Sequence, residues 1–114
     1  MPLLSLQTNI QLNTEQQQEF LLLASKTMAE ILGKPESYVM VSVQANIAMS
    51  FAASTEACAY IEFKSLGLVE SDTAKFSKSI GDLVQTRLGI NPARIYIEFA
   101  NPERHLWGWN QKTF

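Results

Sequence analysis

The chain repeats one plan twice, and that repeat limits its fold more than any other feature. In the first half, Leu32-Gly33-Lys34-Pro35-Glu36-Ser37-Tyr38-Val39 closes a helical stretch and opens a strand-like one. In the second half, Leu88-Gly89-Ile90-Asn91-Pro92-Ala93-Arg94-Ile95-Tyr96 does the same. Glycine suits the left-handed turn that ends a helix, and a proline beyond it stops the helix resuming. Ahead of the first run, Phe20, Leu21, Ala24, Met28 and Ile31 recur at helical spacing. Ahead of the second, Phe76, Ile80, Leu83, Val84 and Leu88 do so. Thr14, with Gln17 three residues on, predicts a capping box for the first helix; the second is expected over 71–88. Strands are expected over 2–7, 39–44, 58–65 and 94–100, with a short one near 49–51. A right-handed crossover in each half places both helices on one face of a four-stranded sheet. The expectation is an α+β fold of two βαβ repeats, a single domain over 1–114.

That layout leaves the other sheet face without a cover. It would carry Ser5, Gln7, Ser42, Gln44, Tyr60, Glu62, Tyr96 and Glu98. Such a face is too polar for a second core, and the sheet has edges to satisfy. Assembly of several copies around a wet interior is the expected remedy; a two-layer monomer is the alternative. With 46% hydrophobic residues the chain can bury a core. A net charge of -2 with no basic patch argues against nucleic acid. The longest apolar runs, such as Phe20-Leu21-Leu22-Leu23-Ala24, are too short to span a bilayer, which argues against a membrane partner. No signal peptide is expected, and a cytoplasmic location is the default, with export lacking a signal left open. One histidine and one cysteine, Cys58, make neither a metal site nor an internal disulfide.

The opening Met1-Pro2-Leu3-Leu4-Ser5-Leu6 reads as a strand. Removal of Met1, which the small second residue favours, would make Pro2 the free amine. Burial disfavours a charged amine, so a terminus fixed at the start of a core strand is a candidate general base. Met-Pro is also a common way for a chain to begin.

The pieces together resemble the macrophage migration inhibitory factor family of the tautomerase superfamily, over essentially the whole chain. They are Met1-Pro2, Thr8-Asn9, Gly33-Lys34-Pro35 with Tyr38, and Ser54-Thr55-Glu56-Ala57-Cys58-Ala59. Further on come Ser65-Leu66-Gly67, Arg94-Ile95-Tyr96-Ile97, Gly108-Trp109-Asn110 and the closing Thr113-Phe114. The resemblance implies a homotrimer with active sites between subunits. It also implies keto–enol tautomerisation of phenylpyruvate-type α-keto acids, without metal or organic cofactor. Pro2 would be the catalytic base and Lys34 would hold the substrate carboxylate. The Leu66 amide would face the ligand, and Tyr96 would come from the neighbouring subunit. Tyr38, Trp109 and Phe114 would form an apolar rim. Taken alone, Lys34 also reads as a solvated surface lysine, and the aromatic residues as packing.

The departures from the family pattern are informative. Glu98 stands where the best-known members have asparagine, and it could raise the amine's pKa or pair with Arg94. Trp107 replaces a smaller aliphatic residue and would narrow the pocket. Cys58-Ala59-Tyr60-Ile61 lacks the second cysteine of the family motif, so thiol–disulfide exchange has no resolving thiol. Leu12 and Asn46 stand where charges contact a cytokine receptor in the family, which argues against receptor signalling through those contacts. Two alternatives to the tautomerase stand beside it: a trimeric interaction protein with vestigial activity, and a hydratase or dehalogenase using Pro2 with Glu98.

Overall fold

The computed structural model describes residues 1–114. The main elements are β1 (Pro2–Thr8), α1 (Thr14–Leu32), β2 (Met40–Gln44), β3 (Ala59–Ser65), α2 (Thr73–Leu88) and β4 (Ile95–Ala100). A small hairpin, β5 (Gly108–Trp109) and β6 (Lys112–Thr113), ends the chain. The sheet order is β2-β1-β3-β4. β1 runs parallel to β2 and β3 parallel to β4, while β1 and β3 join the halves antiparallel. Each parallel pair is one βαβ unit, as the repeat requires.

Alternation decides which face is covered. Pro2, Leu4, Leu6 and Thr8 of β1 and Ala59, Ile61, Phe63 and Ser65 of β3 are buried against the helices. They meet Phe20, Ala24 and Met28 of α1 and Phe76, Ile80 and Val84 of α2 in one core. Phe63 is its centre, stacked on Phe76 at 5.4 Å and tilted against Phe99 at 5.1 Å. The buried Thr8 hydroxyl donates to the Cys58 carbonyl at 2.7 Å, so its polar atom carries no desolvation cost left unmet. On the far face Ser42 donates to Ser5 at 3.1 Å and Gln7 to Gln44 at 3.2 Å.

Several boundaries move from those expected, each for a local reason. Asn13, not Thr14, caps α1: its side chain accepts from the Gln16 amide at 2.8 Å while Gln16 returns a bond at 2.9 Å. Asparagine is the better cap, and its extended backbone starts the helix one residue earlier. A 3₁₀ turn, Glu70–Asp72, delays α2 to Thr73. Another, Pro92–Arg94, delays β4 to Ile95. Gly33 and Gly89 do end their helices left-handed, at φ 63° and 69°.

No strand forms at 49–51. Phe51 and Ser54 instead bridge a two-residue turn, with N–H···O bonds of 2.9 and 3.0 Å. Ala52 and Ala53 occupy its corner at φ 52° and 59°. A left-handed conformation costs an L-residue with a Cβ about 1–2 kcal/mol. Asn-Gly is the pair this turn type prefers. An Ala52→Asn/Ala53→Gly double variant is therefore expected to be more stable by about 1 kcal/mol. A urea midpoint that stays put or falls would count against strain at this corner.

The closing hairpin was not foreseen, because two-residue strands show no alternation. Its corner, Asn110 and Gln111, is again left-handed. It folds the tail back so that the Phe114 amide donates to the Trp107 carbonyl at 3.2 Å. No helix is long and apolar enough to cross a membrane.

Candidate functional site

The register of the two central strands builds the site. Pro2 pairs with Ser65, the last residue of β3, and its ring is buried. The turn that follows β3 carries Leu66 and Gly67, with Gly67 at φ 70°. Lys34 leaves the end of α1 next to the left-handed Gly33 and crosses to the same corner. Its ammonium donates to the Ser65 hydroxyl at 2.9 Å and to the Leu66 carbonyl. An ammonium has three donors, so one is left to meet a ligand. The Leu66 N–H meets no acceptor within the chain. Lys34 is thus a partly buried, anchored cation beside Pro2 rather than a freely solvated one.

A cleft of about 340 Å³ opens over this corner, lined by Met1, Lys34, Tyr38, Leu66, Gly67, Arg104, Trp109 and Phe114. Its size suits a small ligand. Trp109 stacks on Phe114 at 6.0 Å and meets Tyr38 edge-on at 6.1 Å. The tail hairpin is therefore what assembles the aromatic rim. A second cleft of about 290 Å³ adjoins, lined by Pro2, Leu3, Met40 and Trp107, and it shares Met1, Tyr38 and Trp109 with the first. Met1 stands between the two, so its removal would join them over Pro2. Trp107 lines the Pro2 side rather than the Lys34 side.

Burial and neighbouring charge lower amine pKa values at this corner. Burial lowers the pKa of the Met1 amine, and the positive charges of Lys34 and Arg104 lower it further. Burial also lowers that of Lys34. No Asp or Glu side chain lines the cleft. Arg104 was not anticipated from sequence; one arginine after the last long strand carries no signal until the 3₁₀ turn Arg104–Leu106 sets it beside the cleft.

Tyr96 and Glu98 are not part of this corner within one chain. Tyr96 is in register with Tyr60 and Gln7, and Glu98 with Glu62 and Ser5. At about 3.3 Å per residue, Tyr96 lies about 17 Å along the sheet from Pro2, and two strands across. It is 66% exposed and packs edge-on against Phe51 at 4.8 Å. Glu98 lines a separate cleft at the β4 edge. Burial raises the nearby Tyr60 phenol, and the Glu98 and Glu62 carboxylates add to the rise.

The suggested Arg94–Glu98 pair is absent. Arg94 precedes β4, and its guanidinium donates instead to the carbonyls of Phe51, Ser54, Glu56 and Ala57.

Two βαβ units thus share one sheet, and its first strand opens into a cation-lined, aromatic-rimmed cleft. A family model described as "Macrophage migration inhibitory factor (MIF)" matches residues 1–114. The chain is 36% identical over 115 residues to the macrophage migration inhibitory factor homolog of Trichinella spiralis, covering 100% of both. It is 38% identical over 119 residues to that of Brugia malayi, covering 100% of this chain and 99% of the other. The crystal structure of the homologue from Prochlorococcus marinus superposes with a TM-score of 0.93 at 39% identity, over 98% of each chain. The Trichinella spiralis structure gives 0.91 at 34%, over 98% of this chain and 99% of that one. The chain belongs to the macrophage migration inhibitory factor family.

Proposed function

We propose that this protein interconverts the keto and enol forms of phenylpyruvate-type α-keto acids. The observation that carries the reading is the convergence of Pro2, the anchored Lys34 and the aromatic rim on one corner of the sheet. With Met1 removed, Pro2 would present a buried secondary amine at the floor of the joined clefts. That amine takes a proton from the carbon next to the ketone. The Lys34 ammonium holds the substrate carboxylate with its spare donor, and the Leu66 N–H is available to a substrate oxygen. The enolate oxygen then gains a proton while the amine gives up the one it took. Protons and electrons balance, and neither a metal nor an organic cofactor takes part.

The assembly in this reading is a homotrimer of one-domain subunits, working in the cytoplasm. Tyr96, exposed and remote from its own chain's Pro2, would be supplied to the neighbouring subunit's cleft. It could stack on an aryl substrate and donate a hydrogen bond. Glu98 shares the exposed face of β4 with Tyr96 and would approach the neighbouring subunit's cleft with it, so the hydratase alternative turns on what its carboxylate meets there.

The test is a pH series of phenylpyruvate enolisation by the processed protein. A base works only when unprotonated, and burial with two nearby cations lowers an amine's pKa at this corner. The rate is expected to rise with pH through the lowered amine pKa and to level off below the ordinary pKa of a solvated ring amine. A profile still climbing at the ordinary pKa of a solvated ring amine, or no enolisation at any pH, defeats the proposal.

A further inference from the structure

We infer that Arg104 is a second anion-binding group of the cleft, so that the preferred ligand is an aryl α-keto acid carrying a further carboxylate on its ring. The inference rests on the tautomerase reading for the ligand's keto-acid end, and on Arg104 itself for the rest.

Arg104 lines the same cleft as Lys34, and no Asp or Glu side chain lines it with them. Its guanidinium has neither a salt bridge nor a hydrogen bond within the chain. The adjacent carboxylate, Glu103, is turned to the His105 imidazole at 3.4 Å instead. The backbone that carries it is fixed in a 3₁₀ turn: the Leu106 amide donates to Glu103 at 2.9 Å and the Trp107 amide to Arg104 at 3.2 Å. One cation is enough for the single carboxylate of phenylpyruvate, and Lys34, held by Ser65 and Leu66, is placed for it. The second cation is surplus to that substrate. A guanidinium offers paired N–H donors that match a carboxylate two-for-two. The Trp109 and Phe114 rings provide a flat apolar wall for the ring that would join the two anionic ends.

The test compares phenylpyruvate with 4-carboxyphenylpyruvate on the full, processed protein. Binding is read by quenching of tryptophan fluorescence and turnover by ultraviolet absorbance. The wild type is expected to bind the dianion about tenfold more tightly, less so at high salt. In Arg104→Ala the ratio of the two affinities should collapse to about one, and Arg104→Lys should keep part of it. No preference in the wild type, or equal loss of both ligands in Arg104→Ala, overturns the inference. The second result would mean that the guanidinium meets the shared carboxylate or only braces the tail. A dianion preference in binding with no turnover of either compound upholds the anion site and defeats the tautomerase reading. Turnover without preference does the reverse. Failure of both compounds to bind overturns the inference as well.

Discussion

A Pro2→Gly variant is expected to keep its fold and to lose about a hundredfold in kcat/KM for phenylpyruvate enolisation, toward the low end of the ~10²–10⁴-fold supplied by a positioned base. Glycine keeps a terminal amine but gives up both the ring's basicity and its fixed direction. The structural cost is small because only a ring at the rim of the core is lost. The gap it leaves should cost about 1–2 kcal/mol. Unchanged circular dichroism would separate that cost from the catalytic one. A stronger form of the test keeps a residue in front of Pro2 that processing leaves in place. The proline nitrogen is then an amide with no basic lone pair, and the loss should exceed that of Pro2→Gly. Full activity in either protein would remove Pro2 from the mechanism.

What made Pro2 legible in the sequence was the strand it opens. The alternation from Leu4 to Leu6 fixes which face of β1 is buried, and the repeat fixes that β1 is central, not peripheral. The two glycine–proline junctions marked both helix ends for a local reason, since backbone handedness is written in single residues. Helix starts were less legible, because Asn13 and Thr14 both satisfy capping chemistry and only the paired geometry with Gln16 decides between them.

The site divided along the same line. Lys34 could be singled out only through family resemblance, since the partners that anchor it, Ser65 and Leu66, are 31 and 32 residues away in sequence. Arg104 escaped notice as well. Its place over the cleft depends on the 3₁₀ turn Arg104–Leu106, which is too short to show a period in sequence. Of the two fates open to Glu98, pairing with Arg94 does not occur. Spacing within an assumed strand put Arg94 on the face of Glu98, but the 3₁₀ turn Pro92–Arg94 rotates it off that face and toward the Phe51–Ala57 loop.

Arg94 is where the second large effect is expected. Its guanidinium uses four N–H···O bonds, of 3.0, 3.1, 3.2 and 3.1 Å, on the carbonyls of Ala57, Phe51, Ser54 and Glu56. It also lies 5.3 Å from the centre of the Phe51 ring. These bonds hold a loop that contains two left-handed alanines and makes no ladder of its own. Bonds from a charged donor contribute about 1.5–3 kcal/mol each, but carbonyls near the surface recover water when the donor is removed. Arg94→Ala is therefore expected to lower unfolding free energy by about 3 kcal/mol in urea titration, well short of the four-bond sum. Arg94→Lys, a point charge without the fork, should recover less than half of that. The loop also carries Phe51, whose ring packs edge-on against Tyr96 at 4.8 Å. If Tyr96 serves a neighbouring cleft, releasing Phe51 should raise KM for an aryl substrate more than it lowers kcat. Phe51→Leu, which leaves every Arg94 bond in place, should reproduce that split with little loss of stability. A stability change under about 0.5 kcal/mol in Arg94→Ala would show that water replaces the clamp at no cost. An unchanged KM in Phe51→Leu would show that Tyr96 needs no support from the loop.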